Sequence, residues 1–162
     1  MQERQAGQDY FRTLLRTVVG QAFAAAGYHF AEAPLQSVGG RFRFVKAFDD
    51  GSFGWIDFQV LVYSDTMWSA GAPSRFRVQL TRSPTTSGLT GTAGSVSRSL
   101  SQLVVADFGV NILRSADHWW TYRDTDSLGK ALAEAGHLVV GYGIPWLAGE
   151  LSPPNEKADD LA

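Results

Sequence analysis

Between residues 41 and 81, apolar and polar positions alternate with a period of two along three segments. Residues 41–48 set Phe42, Phe44 and Phe48 on one parity and Arg41 and Arg43 on the other. Residues 55–63 set Ile56, Phe58, Val60 and Val62 against Trp55, Asp57, Gln59, Leu61 and Tyr63. Residues 75–81 set Phe76, Val78 and Leu80 against Arg75, Arg77, Gln79 and Thr81. Neighbouring side chains of a strand point to opposite faces. The pattern therefore predicts one sheet with an apolar core face and a second face. That second face is too polar for a core and too aromatic for an ordinary wet surface. Asp49-Asp50-Gly51 lies between the first two segments and predicts an antiparallel hairpin, because Asp-Gly accepts the positive φ of a tight turn.

The flanks switch to helical spacing. Leu14, Leu15, Val18, Val19, Ala22 and Phe23 form a stripe on a helix expected over about Asp9–Ala26, with Asp9 as N-cap and Gly27 as the stop. Tyr28, Phe30 and the residues near Leu35 suggest a short first strand. Residues 83–98, rich in Ser, Thr and Gly, read as a long loop, plain or lid-forming. Residues 100–113 suggest one or two short strands broken at Gly109, and His118–Tyr122 an aromatic strand. A last helix follows Asp124 or Asp126, carries Leu128, Ala131, Leu132, Ala135, Leu138, Val139 and Tyr142, and stops at Gly143 and Pro145. The expected fold class is α+β: a mainly antiparallel sheet with N-terminal and C-terminal helices packed on its Phe42/Phe44/Phe58/Val60 face. The expected division is a polar segment at 1–8, a single domain at 9–151 and a disordered tail at 152–162.

Composition narrows the function classes. A chain of 162 residues with 44% hydrophobic and 19% charged residues is of single-domain size and globular type. It has no cysteine, which excludes disulfides and thiolate chemistry and fits a reducing cytoplasm. A net charge of −2 does not favour a polyanion, so nucleic acid is not an expected partner. Arginine outnumbers lysine eleven to three, a bias that reads first as GC-rich coding. There is no apolar run of membrane length and no signal-peptide core, so no membrane association is expected.

No standard motif supplies a mechanism. His29, His118 and His137 form no paired metal-ligand spacing, and no Gly-x-Ser-x-Gly elbow, P-loop or dinucleotide fingerprint occurs. No metal, cofactor or catalytic residue is assigned. The candidate ligand or partner surface is the polar sheet face, with Arg43, Trp55, Asp57, Gln59, Tyr63, Arg75 and Arg77, joined by Trp68 in the following loop. It can be a solvated face of Arg–Asp pairs. It can be a shallow basic and aromatic cleft for a small anionic or planar ligand or a protein partner. It can also be a catalytic site with Asp57 as general acid or base. The functional expectation is a non-catalytic binding or protein-interaction domain. The alternative is a small-molecule binder or an unfamiliar enzyme with a cleft over Asp57. Oligomeric state is not legible. Trp119 and Trp120 must face opposite ways in a strand, and parity does not say which one is in the core.

Several pieces carry a resemblance. They are Ala26-Gly27-Tyr28, Phe42-Arg43-Phe44, Gln59, Trp119-Trp120 and Gly143-Ile144-Pro145-Trp146-Leu147. Together they resemble the bacterial family catalogued as domain of unknown function 4304, over most of residues 10–148. The resemblance implies an α+β domain and transfers no catalytic motif. The closing Ile144-Pro145-Trp146-Leu147 is expected to be structural, with Trp146 reaching back beneath Leu138 and Val139.

Overall fold

Phe11, Leu15, Val19 and Phe23 recur every fourth residue and are all buried, so they form the inner stripe of helix α1 (Gln2–Ala25). In the computed structural model, which describes residues 2–32, 40–61, 74–84 and 95–153, α1 starts seven residues before the expected Asp9. Gln, Glu and Arg favour helix, and the single Gly7 before Asp9 is carried within it. Asp9 is therefore interior, and its carbonyl accepts a bond from Thr13 Oγ1. The end is as expected. Gly27 takes φ +93°, Gly27 N–H donates to Ala24 O and Tyr28 N–H donates to Phe23 O, the two bonds of a glycine-terminated helix.

The sheet is antiparallel throughout, in the order β1 (His29–Ala31), β2 (Arg41–Ala47), β3 (Phe53–Leu61), β4 (Ser74–Ser83), β5 (Val96–Ser99). A sixth strand, β6 (Trp120–Tyr122), shares the outer edge of β4 with β5. Phe53 to Leu61 pairs residue for residue with Ser83 to Arg75. The β2–β3 hairpin closes around Asp49-Asp50-Gly51 with Gly51 at φ +86°. Phe42, Phe44, Ile56, Phe58, Val60, Phe76, Val78 and Leu80 all face the helices and are buried. Phe11 and Phe23 of α1 meet Phe42 and Phe44 with ring centroids 5.6 and 5.0 Å apart. The molecule is thus the expected α+β fold, with helices on the expected face.

Three stretches differ from the sequence reading. Val96–Ser99 is a strand within the expected 83–98 loop, and residues 85–94 lie outside the described set. Residues 100–107 are helical rather than extended, with the π-helical turn α2 at Gln102–Asp107. Leu100, Leu103 and Val104 have helical spacing and are fully buried, but so short an apolar run reads equally well as strand. The last helix, α3 (Thr125–Leu138), starts at the Asp124 N-cap, in a reciprocal capping pair with Ser127. It does not stop at Gly143. A π-helical turn at Val139–Gly143 carries the chain into α4 (Ile144–Leu147), with Pro145 near the start of this new helix. Gly149, at φ +75°, is the actual stop. Leu147, not Trp146, is the fully buried residue of the closing motif; Trp146 packs half-buried at the core margin.

Tyr28 is an exception to a well-satisfied core. Its side chain is 1% exposed and its hydroxyl has no hydrogen-bond partner among the described residues. Burial holds the hydroxyl well above the usual tyrosine range. Gly54 makes room for it, since a methyl group there would lie 2.7 Å from the Tyr28 oxygen. Tyr28→Phe should therefore raise stability by about 1 kcal/mol, because a buried polar group without a partner is removed and no bond is lost. A urea midpoint that falls instead would show that the hydroxyl is satisfied.

Candidate functional site

Strand register assembles the polar face in rows. Val45, Trp55, Thr81 and Ser97 form one row; Arg43, Asp57, Gln79 and Ser99 the next; Arg41, Gln59 and Arg77 a third; Leu61, Arg75 and Thr121 the last. Arg43, Trp55, Asp57, Gln59, Arg75 and Arg77 therefore share one face. Tyr63 and Trp68 lie outside the described residues.

The face divides into two parts. At its centre, Arg43 Nε–H donates to Asp57 Oδ1 at 2.6 Å and Arg41 Nη2 donates to Asp57 Oδ2 at 2.9 Å. The Arg43 guanidinium lies 4.0 Å from the Trp55 ring centroid. Arg43 and Asp57 are each only 3% exposed at the side chain, and Trp55 is buried with them. These three residues are not an open surface, and the reading of this face as wholly solvated fails at its centre. Both Asp57 oxygens are held by guanidinium donors, an arrangement that fixes β2 against β3.

The other part lies toward β6 and is open. Trp120 turns into the core and stacks on Phe76 at 5.6 Å and 13°. Strand parity sends Trp119 to the polar face, where the guanidinium carbons of Arg75 and Arg77 sit 4.6 and 4.9 Å from its ring centroid. Cation–π contact of this kind holds arginine without a carboxylate. Arg75 Nε is buried and, among the described residues, has no hydrogen-bond partner.

Beside this cluster, a cleft of 770 Å³ runs along the outer edge of β6. Its walls are the 112–118 loop, the Trp119–Thr121 stretch and the α3 residues Ser127, Lys130, Ala131 and Glu134. Arg75, Arg114 and Lys130 bring positive charge, and Asp117 and Glu134 negative. Trp120 Nε1–H donates to Glu134 Oε1 at 3.3 Å, and His118 stands edge-on to Trp120 at 4.7 Å. Partial burial holds His118 below the usual histidine range; Glu134 opposes that shift and Arg114 adds to it. Asp57 is not part of the cleft.

The face expected from the sequence centres on Asp57 of β3, whereas the open cleft lies beyond β4, along β6. Arg75 and Arg77 belong to both pictures. Trp119, Thr121, Arg114 and Lys130 were missed as site residues. Parity marks Trp119 as a face candidate once Trp120 is known to be core. Arg114 and Lys130 come from a loop and a helix exterior, where no pattern in the sequence distinguishes them. Among the described residues, no three His, Asp or Glu side chains converge as a metal would require, and no helix is long and apolar enough to cross a membrane.

The fold and site define an α+β domain with an arginine- and tryptophan-bordered cleft at a sheet edge. No family model matches the chain, and no curated protein or solved structure matches it.

Proposed function

We propose that this chain is a non-catalytic binding domain whose site is the β6 cleft, where a carboxylate or phosphate group of the ligand docks on Arg75. The observation that carries this reading is Arg75 itself: it lines an open cleft, and its Nε–H has no hydrogen-bond partner among the described residues. A guanidinium that no carboxylate engages leaves donors for a ligand oxyanion, and such charge-assisted bonds are the stronger ones. The planar guanidinium fork suits a planar or tetrahedral oxyanion, and stacking on Trp119 holds the fork in place. The cleft volume is that of a typical small-ligand or peptide site. Asp57, with both oxygens engaged and no place in the cleft, is better suited to holding strands together than to moving protons.

A cytoplasmic setting belongs to this proposal and rests on the cysteine-free composition. So does the resemblance to domain of unknown function 4304, which assigns no activity.

The test is an NMR titration of the protein with sodium acetate, glutarate and inorganic phosphate in separate arms. The expected result is saturable shifts at the Trp119 indole and the Arg75 Nε–H with at least one of these anions. Arg75→Gln should weaken that binding roughly tenfold or more, the loss of a charge-assisted bond. Absence of shifts there, or equal binding by Arg75→Gln, would remove the reading.

A further inference from the structure

The backbone hydrogen-bond phase can be followed across the sheet to the floor of the cleft. Val60 N–H donates to Gly40 O, so the bonding groups of Val60 point toward β2. In an antiparallel strand, alternate residues point their backbone groups to opposite sides. Gln59 and Leu61 therefore point to β4, where their partners are Arg77 and Arg75. Phe76 and Ser74, on the other phase of β4, point to Trp120 and Tyr122. Thr121 is left with its N–H and C=O directed away from β4, into the cleft that it lines. Thr121 is exposed, and among the described residues no strand pairs with this edge.

We infer that the occupant of the cleft is an extended acidic peptide segment of a partner protein, added as a further antiparallel strand on the free edge of β6. The inference rests on the proposed binding role of the Arg75 cleft and names its ligand. Strand addition uses main-chain bonds for affinity and alternate side chains for specificity. Thr121 supplies one donor and one acceptor at the centre of the edge. The side chains of an added strand alternate between the two faces of the sheet. Those on the polar face would meet Arg75, which lines the cleft, makes no ion pair among the described residues and leans on Trp119. Carboxylates fit there by charge. Those on the other face would meet the α3 wall, where Ser127 and Ala131 are the small residues between Lys130 and Glu134, so small or β-branched side chains suit it. The recognised segment thus alternates acidic and small apolar residues. β6 is only three residues long. A segment of about six residues, near 20 Å when extended, spans it with both flanks.

The test uses an acetylated, amidated hexapeptide alternating glutamate and valine, followed by backbone amide NMR and titration. The expected result is a downfield shift and slowed hydrogen exchange at the Thr121 amide, together with shifts at the Trp119 indole. An analogue N-methylated at its central residues should bind roughly tenfold or more weakly, since it lacks the strand donors. A lysine–valine analogue should not bind. Thr121→Pro removes the outward N–H and leaves the β4 ladder bonded, so it should lose the peptide and keep the Arg75-dependent binding of the small anion. Equal binding of the N-methylated peptide, or peptide binding that survives Thr121→Pro, would overturn strand addition. Binding of acetate, glutarate or phosphate with no binding of the peptide would also overturn it while leaving the Arg75 site intact. Failure of both peptide and small anions at the cleft would overturn both.

Discussion

Asp57→Ala is expected to lower the free energy of unfolding by about 3–5 kcal/mol, as breaking one side of a buried ion pair does. The reason is the charge left behind. Arg43 is 3% exposed at the side chain, packed against Trp55, and cannot turn to water without opening β2 from β3. Arg41 is about ten times more exposed, at 31%, so it can swing outward when its carboxylate is lost. Arg41→Gln should therefore cost far less, about 1 kcal/mol or below, as for partly exposed pairs. The double replacement Arg43→Met with Asp57→Leu should recover most of the loss, because apolar side chains of similar volume avoid the desolvation of two charges. Urea denaturation of the two single variants and the double variant checks this. An unchanged midpoint for Asp57→Ala would mean that the pair is wet, and would return Asp57 to the list of accessible site residues.

Legibility in the sequence followed the strength of local periodicity. Phe42, Phe44, Phe58 and Phe76 alternate with charged residues, and no helical phase explains that, so the sheet and its two faces were readable. Gly27 was readable as a stop because only a residue tolerant of positive φ ends α1 there. Gly143 was misread because a glycine before a proline resembles a stop, while the π-helical turn at Val139–Gly143 lets the helix continue to Pro145. No residue pattern marks that turn. Burial of Asp57 was also hidden. Alternation places a side chain on a face but does not say whether that face is covered. The cleft was illegible for a related reason: its walls come from a strand, a loop and a helix exterior that meet only in the folded molecule. Only Trp119 and the arginines of β4 gave an early signal, through parity.

Phe76→Ala is expected to cost about 3–5 kcal/mol, a large part of the roughly 5–15 kcal/mol that a domain of this size holds. Phe76 touches Phe11 of α1, Phe58 of β3, and Trp120 and Tyr122 of β6, with ring centroids between 5.3 and 6.5 Å. Its loss takes transfer energy from the ring and leaves a cavity shared by those neighbours. The consequence for the site is specific. β6 is three residues long and, among the described residues, pairs only with β4, so its hold on the sheet depends on side-chain packing beneath it. The stack of Phe76 on Trp120 supplies that packing. Phe44→Ala removes an equally buried ring, but its neighbours are Phe23, Phe30 and Phe58, away from the cleft. The two variants should thus lose similar stability yet differ at β6. Native-state hydrogen exchange at the Trp120 and Tyr122 amides should accelerate in Phe76→Ala well beyond the change in global stability, and in Phe44→Ala only in step with it. Equal acceleration in both variants would show that β6 opens only with the whole domain, and that the cleft wall is as rigid as the core behind it.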